Sequence, residues 1–218
     1  MKKATLTALV LLPALLAGCS QIARSAADNR EVEALPLGAQ DFSGVLRSGA
    51  TTLGAQALSY SATLTLQGSF DDLDLSSLPS IVGSPSGLDV PLAFATANFT
   101  ACKTAAPVIH VTVTGATLTV SDAAHPNGAT TSKSGLNIAL TLIRNGDRYA
   151  VSFGGAPEAT FLTLFADWPS FSPIVVKGGA NTPNSYKASV SITADQGADL
   201  CPVSFRTPDK LAQRVRFQ

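Results

Sequence analysis

The strongest constraint on the fold is a strict two-residue alternation of apolar and polar side chains. It occurs in the segment SYSATLTL, residues 59–66, and again in SYKASVSI, residues 185–192. Successive side chains of a β-strand point to opposite faces, so this period predicts strands with one buried and one exposed face. The inward positions predicted in this way are Tyr60, Ala62, Leu64, Leu66, Tyr186, Ala188, Val190 and Ile192.

The segment 108–121 has the same alternation but changes phase. Its apolar positions are Ile109, Val111 and Val113, and then Ala116, Leu118 and Val120. A shift of one residue exchanges the two faces of a strand, so the pattern predicts a β-bulge or turn near Thr114–Gly115.

The segment LNIALTLIRNGDRYAVSF, residues 136–153, predicts a β-hairpin. Asn145–Gly146 is a preferred pair for a two-residue type I′ turn, because both loop positions take a positive φ. The pairs that this turn predicts are Leu142 with Tyr149, Leu140 with Val151 and Ile138 with Phe153.

Further strands are predicted near 90–101, 173–178, 200–206 and 212–217, whereas the Ser-, Pro- and Gly-rich region 71–89 predicts a long loop or short helical turn. About nine short strands with frequent turn signals indicate an all-β fold. We therefore expect a single antiparallel β-sandwich or barrel-like domain over residues 41–218. Its last strand would point Arg214 and Arg216 outward and Val215 and Phe217 inward.

Residues 1–18 have the layout of a secretory signal peptide. Lys2 and Lys3 precede an uncharged, mostly apolar run at 4–16, and Ala17 and Gly18 follow it. The run is too short to cross a bilayer, which takes about 20 apolar residues, so the segment is predicted to be a signal peptide and not a membrane span.

The sequence Leu16-Ala17-Gly18-Cys19 resembles the lipobox of bacterial lipoproteins. In that family a signal peptidase cuts before the cysteine, and the cysteine carries the acyl chains. The resemblance covers the leader alone and implies that Cys19 is the lipidated first residue of the mature chain, since two or more acyl chains hold a protein firmly at a membrane. Ser20, where the family's inner-membrane sorting signal has an aspartate, favours the outer membrane.

Residues 19–40 are predicted to be this lipidated N-terminus and a flexible tether. They mix acidic and basic residues without a sustained apolar period, although a short helix over 23–34 is an alternative. A flexible chain of this length has an r.m.s. span of about 25 Å. The tether would therefore keep the β domain close to the membrane.

The cysteine count agrees with this assignment. With Cys19 lipidated, Cys102 and Cys201 are an even pair, and thiols outside the cytoplasm oxidise, so a disulfide is predicted, with two unpaired thiols as the alternative. The bridge would close a loop for which chain entropy gives about 4.7 kcal/mol of stabilisation. Cys102 is out of phase with Phe99 and Ala101, which places the bridge at a strand end.

Charge and composition give no reason to expect a nucleic-acid partner. The chain has 15 basic and 15 acidic residues, and loss of Lys2 and Lys3 with the leader makes the mature net charge −2. Charged residues are only 14% of the chain. Soluble domains average about 25%. The composition is typical of a β-rich protein outside the cytoplasm.

Residues that commonly carry chemistry are few. His110 and His125 are the only histidines, and no spacing brings them together, so no metal site is predicted. Asp71, Asp72 and Asp74 lack the glycine and distal glutamate of a calcium loop, which favours a solvated acidic loop. The chain is therefore predicted not to be an enzyme and to need no cofactor. A Ser-His-Asp triad assembled from distant positions is left open.

The most notable surface candidate is TFLTLFADWPSFSP, residues 160–173, which two prolines interrupt. It concentrates Phe161, Phe165, Trp168 and Phe171. Aromatic side chains on an irregular loop can form a contact surface for a partner, and the alternative is a loop folded over the core.

Taken together, the patterns predict a membrane-anchored envelope lipoprotein, at the outer membrane, that acts as a non-catalytic binding or structural module. Its partner would be a protein, a glycan or a lipid. The alternatives are a periplasmic hydrolase, which would need a nucleophile or metal beside a histidine, and a lipid carrier, which would need an apolar cavity.

Overall fold

The computed structural model describes residues 39–49, 59–72, 85–176, 184–209, 211 and 214–217. The chain is mostly β-strand, and its main element is a closed antiparallel barrel of eight strands. A three-stranded sheet and a short helix pack against the barrel. The predicted all-β, barrel-like fold is thus confirmed. In the part of the chain just defined, no helix is long and apolar enough to cross a membrane.

The described residues form twelve strands: β1 (Asp41–Ser48), β2 (Tyr60–Phe70), β3 (Pro85–Leu92), β4 (Thr96–Asn98), β5 (Val108–Ser121), β6 (Ala129–Asn145), β7 (Arg148–Phe153), β8 (Ala156–Pro157), β9 (Leu162–Asp167), β10 (Asn184–Ala194), β11 (Cys201–Arg206) and β12 (Arg214–Phe217). A 3₁₀ turn, η1 (Thr100–Cys102), follows β4, and the helix α1 (Trp168–Val175) follows β9.

The barrel ring runs in the order β4-β11-β1-β2-β10-β5-β6-β7. It closes where β4 pairs with β7, with Thr96 opposite Ala150. β8 lies outside the ring and pairs only with the end of β7. Closure pairs every ring strand on both sides and so removes the exposed edges of an open sheet.

Aromatic rings fill the core on the β1–β11 side of the barrel. The Phe94 ring centroid lies 5.5 Å from that of Phe42 and 5.0 Å from that of Phe205. The Phe99 ring lies 5.8 Å from Phe205, and all four side chains are almost fully buried. An eight-stranded barrel is just wide enough for side chains to fill, and burial of each such side chain contributes about 1.5–3 kcal/mol.

The predicted phase change in β5 is confirmed. The register of β5 against β6 shifts between Val113 and Gly115, and its register against β10 shifts between Ser191 and Ile192. Before the shift the odd-numbered residues of β5 are buried, and after it the even-numbered ones are. The bulge therefore keeps apolar side chains inward along the whole strand.

The predicted hairpin is present, but its predicted register is wrong by two residues. Asn145 is the last paired residue of β6, so the loop starts at Gly146, which has a φ of +63°. A positive φ at the first loop position alone is the type II′ arrangement, which needs glycine first and not Asn-Gly. A shift of two residues keeps every side chain on its predicted face. The observed pairs include Leu142 with Val151 and Leu140 with Phe153.

Several strands continue past the ring at one end of the barrel. β7 pairs with β6 only over residues 140–145, whereas β6 itself begins at Ala129. The small sheet, β12-β3-β9, lies against this extension. There the Thr131 hydroxyl of β6 donates a hydrogen bond of 2.6 Å to the Phe165 carbonyl of β9.

One face of the small sheet is buried. Its inward residues, which share one hydrophobic core with the barrel, are Leu88, Val90, Leu92, Leu162, Leu164, Ala166 and Val215. Because side chains alternate along a strand, the intervening residues form a second face that points away from the core.

The stretch 160–173 is more regular than predicted, and the strand predicted near 173–178 is wrong because α1 covers its start. The Asp167 carboxylate caps α1 by accepting a hydrogen bond of 3.1 Å from the Ser170 N–H, and this bonding lowers the pKa of Asp167. Pro169 lies in the first turn, where its missing N–H removes no helical hydrogen bond.

Besides β8 and β9, the sequence patterns miss β1 and most of β3. In β1 the inward row is interrupted by Gly44, where a Cβ would lie 2.6 Å from the Thr63 carbonyl oxygen, while the apolar Val45 points outward. β3 starts at Pro85, inside the region predicted to be a loop. The rest of that region, 73–84, lies outside the described residues.

Candidate functional site

The predicted lipidation residue Cys19, the leader and nearly all of the tether lie outside the described residues, which start at Ala39. Gln40, near the start of the described residues, is bonded to the segment that follows β11. The Gln40 N–H donates a 3.0 Å hydrogen bond to Thr207 Oγ1, and the Thr207 N–H donates one of 2.9 Å to the Gln40 carbonyl. The Tyr186 hydroxyl donates a hydrogen bond to Gln40 Oε1. Burial raises the pKa of Tyr186 above its ordinary value, and this bond offsets only part of the rise. Gln40 is thus fixed against Thr207, next to Pro208.

Cys102 and Cys201 form the predicted disulfide. Their Cα atoms are 5.1 Å apart, and both residues are buried. Cys201 opens β11 and Cys102 ends η1, so the bridge lies at a strand end, as its phase predicts. Because β4 and β11 are neighbours in the ring, the bond reinforces one seam of the barrel.

The two histidines lie at opposite ends of β5. His110 is exposed near the start of the strand, and its backbone N–H donates a 2.8 Å hydrogen bond to Asp195 Oδ1. His125 lies beyond the end of the strand, with Nδ1 2.9 Å from Asp122 Oδ1. The fold therefore does not bring the two imidazoles into one site.

The Asp122–His125 pair organises the turn between β5 and β6. Burial raises the pKa of Asp122, but hydrogen bonds from the His125 N–H and ring outweigh it, so the pKa is lowered overall. The turn ends at Gly128, whose N–H donates to the His125 carbonyl. These contacts give His125 a structural role.

The acidic cluster contributes to packing at the start of β10. Asp72 Oδ1 accepts a 2.7 Å hydrogen bond from the side-chain amide of Asn184, while Asp74 lies outside the described residues. Nowhere in the described ranges do three or more His, Cys, Asp or Glu side chains form a group that could hold a metal ion.

The four aromatic residues of the predicted contact patch separate into two pairs. Phe161 and Phe171 are core residues, which agrees with the alternative interpretation of this segment. Phe165 is 42% exposed, and Trp168 is half-buried against the core. A role in binding a partner thus stays a prediction for Phe165 and Trp168 only.

Phe165 belongs to the second face of the small sheet, which we name the outer face. Its other members, at the alternate positions of the three strands, are Gly87, Asp89, Pro91, Thr163, Asp167, Arg214 and Arg216. The expectation that Arg214 and Arg216 point outward and Val215 inward is confirmed. The inward direction of Phe217 stays a prediction.

The exposed Phe165 ring is held by its neighbours. It lies close over Gly87, where an added Cβ would push the ring aside. The Arg216 guanidinium lies 5.3 Å from the ring centroid, within the range of a cation–π contact. Arg216 Nε also donates a 2.8 Å hydrogen bond to Asp89 Oδ2.

A cleft of about 420 Å³ opens on this face, between the small sheet and the segment that follows β11. Its polar lining is Asp89, Glu158, Thr160, Thr163 and Arg214. Its apolar lining is Pro91, Pro208 and Leu211. The size is that of a small-molecule site, and Thr207, which holds the entry of the chain at Gln40, is next to the cleft wall at Pro208.

Glu158 reaches the cleft from a tight loop. Gly154 and Gly155 precede it with positive φ, and Glu158 itself has a φ of +54°. This left-handed conformation costs a non-glycine residue about 1–2 kcal/mol of conformational free energy. Strain of this kind is found preferentially at functional sites.

The sequence patterns single out neither Asp89 nor Glu158, and they give no indication of the cleft. Asp89 interrupts the apolar run of β3 between Leu88 and Val90, which is the one signal that could have marked an outward polar position. The cleft depends on the pairing of β3 with two strands far away in sequence, which no local pattern records.

A scan of protein-family models and a search of curated proteins find no match to this chain. The functional assignment therefore rests on the residues themselves.

Proposed function

We propose that this chain is a lipid-anchored envelope protein whose β domain is a non-catalytic binding module. The resemblance of Leu16-Ala17-Gly18-Cys19 to a lipobox supports the anchor at Cys19, and Ser20 supports a location at the outer membrane. The observation that carries the binding role is the outer face of the small sheet, because a cleft of ligand size lies beside the exposed, positioned Phe165 ring.

The alternative functions have less support. A histidine-dependent hydrolase would need a nucleophile or metal at His110 or His125. Instead, the described contact of His110 is a backbone hydrogen bond to Asp195, and that of the His125 ring is to Asp122 in the turn after β5. A lipid carrier would need an apolar cavity, whereas packed phenylalanine rings occupy the core of the barrel.

The anchor is tested by intact mass spectrometry of the protein purified from membranes. We expect a chain that starts at an acylated Cys19, with Cys102 and Cys201 unreactive to an alkylating agent until reductant is added. An unacylated chain cut elsewhere would contradict the anchor.

The binding role is tested by photo-crosslinking in intact cells. A photoreactive amino acid replaces Phe165 in one variant and Lys187, an exposed residue of the barrel wall, in the control. We expect a discrete adduct at position 165 and none at 187. The class of the adduct follows from protease, glycosidase and lipid-extraction treatment. Identical adducts at both positions, or none at 165, would contradict a binding site on this face.

A further inference from the structure

The chain contains two Asn-Gly pairs, Asn127–Gly128 in the turn after β5 and Asn145–Gly146 at the β6–β7 hairpin. In such a pair the backbone nitrogen of the glycine can attack the side-chain amide carbon of the asparagine, because glycine has no Cβ to obstruct the approach. The attack also needs a glycine N–H that is free of other bonds and a backbone with room to bend. The two pairs differ in both conditions.

The pair at the hairpin is open. Asn145 and Gly146 are exposed, and a Cβ built on Gly146 would meet no atom within 4 Å. Among the described residues, neither the Gly146 N–H nor the Asn145 side-chain amide takes part in a hydrogen bond. The nitrogen that attacks and the amide that is attacked are therefore both unengaged.

The pair in the turn is closed. The Gly128 N–H donates a 3.0 Å hydrogen bond to the His125 carbonyl. Gly128 is half-buried, and a Cβ built on it would lie 2.2 Å from the Val120 carbonyl oxygen. The buried Asp122 carboxylate fixes the turn, since its Oδ1 accepts a 2.6 Å hydrogen bond from the His125 N–H and lies 2.9 Å from the ring nitrogen Nδ1. The attacking nitrogen is thus engaged, and its backbone is held.

We propose that Asn145 is a site of spontaneous covalent modification, whereas Asn127 is protected by its turn. The Gly146 nitrogen loses its proton to a solvent base and bonds to Asn145 Cγ, and the side-chain nitrogen takes up a proton and leaves as ammonia. Water then opens the resulting succinimide ring. Opening at Cγ gives aspartate, and opening at the main-chain carbonyl gives isoaspartate, in which the chain runs through Cγ. Water is the only co-reactant.

Isoaspartate at this position changes the hairpin. Asn145 is the last paired residue of β6 and lies opposite Arg148 of β7. Isoaspartate adds a carbon atom to the main chain at this pair, so the pair cannot keep its spacing. β7 also closes the barrel against β4, where Tyr149 lies opposite Ala97. The modification should therefore loosen the strand that closes the ring. Because neither asparagine belongs to the outer face, this inference stands apart from the proposed binding function.

The test is incubation of the folded full chain in detergent at mildly alkaline pH, which favours loss of the glycine proton. Peptide mapping by mass spectrometry, after digestion in acid, gives the fractions of asparagine, succinimide, aspartate and isoaspartate at positions 127 and 145 over time. We expect Asn145 to react about tenfold or more faster than Asn127, because the turn at Asn127 must open first. In concentrated denaturant the two rates should converge, since neither pair is then held by a turn.

Two variants locate the effect. Asn145→Gln keeps the amide but lengthens the side chain, and we expect it to abolish the reaction at 145 and leave the rate at 127 unchanged. Asp122→Ala removes the carboxylate that fixes the turn. We expect it to raise the rate at Asn127 about fivefold or more, with the unchanged rate at Asn145 of the same chain as the control. Circular dichroism verifies that each variant folds, and the comparison of the two sites in the native chain decides the question if Asp122→Ala does not.

Equal rates at the two sites of the folded native chain, whether both fast or both slow, would overturn the inference, and so would a faster reaction at Asn127. Melting temperatures of the incubated chains test the loosening of β7. We expect a fall for the native chain and none for Asn145→Gln. The same change in both chains would reject the loosening.

Discussion

The barrel and the small sheet use the same alternation of side chains in different ways. In the barrel the inward row packs into an aromatic core, while a disulfide and a closed ring fix the strands. In the small sheet the inward row joins that core, but the outer row holds charges, an exposed ring and a cleft. If the proposed function holds, stability and recognition are separated onto the two regions, and substitutions should affect them separately.

The largest expected effect is in the core that both regions share. Phe94, between β3 and β4, contacts the rings of Phe42, Phe161 and Phe205. We expect Phe94→Ala to lower the free energy of unfolding by about 3–5 kcal/mol, measured by chemical denaturation. Phe165→Ala is the control on the outer face and should cost under about 1 kcal/mol. Equal losses would contradict the separation.

Loss of the disulfide should rank next. We expect the double variant Cys102→Ser, Cys201→Ser to lose about 2–5 kcal/mol, because the bridge closes a loop with a sequence separation of 99. Denaturation of the native chain with and without reductant measures the same quantity. A variant as stable as the oxidised native chain would show that the ring alone holds this seam.

Two glycines offer a matched pair. A Cβ on Gly44 in the barrel would lie 2.6 Å from the Thr63 backbone carbonyl, whereas a Cβ on Gly87 meets chiefly the outer edge of the Phe165 ring. We expect Gly44→Ala to cost about 1–3 kcal/mol, because backbone must move. Gly87→Ala should cost under about 1 kcal/mol, because a side chain can move aside. The reverse order of melting temperatures would contradict this picture.

The smallest expected effect is on the pH dependence of stability, to which both regions contribute. Hydrogen bonds from Ser48 lower the pKa of Asp199 beside the barrel, and those from Ser170 lower the pKa of Asp167 at the small sheet. A carboxyl with a lowered pKa stabilises the fold above its ordinary value of 3.8 and loses that contribution as the pH falls below it. We therefore expect the melting temperature to drop as the pH falls from about 5 to about 3. Asp199→Asn should reduce this drop. A native chain whose melting temperature is the same at both pH values would contradict the prediction.

The sequence predicts the fold where information is local. The alternation in β2 and β10 and the phase change at Gly115 define both the strands and their buried faces. The sequence locates the hairpin but gives the wrong strand register. Asn145–Gly146 favours a turn at those two residues, whereas the loop of the structure is Gly146–Asp147. The patterns miss α1 because prolines argue against a helix, yet Asp167 and Pro169 together start one.

The candidate site is predicted far less well. The outward direction of Arg214 follows from its strand pattern, but the presence of Asp89 opposite it depends on a pairing over more than 120 residues. The exposure of Phe165 and the burial of Phe161 likewise depend on which face of β9 meets the barrel. Such facts belong to the tertiary arrangement, and composition or periodicity cannot supply them.

The position of β11 in the ring has a consequence for the order in which the chain can mature. β11 lies between β4 and β1, so one of the two neighbours of β1 is made after every other strand of the ring. A chain that emerges N-terminus first holds β1 and β4 with open edges, and Cys102 without its partner, until residues 201–206 arrive. β11 is therefore the strand whose arrival turns an open sheet with exposed edges into a closed barrel.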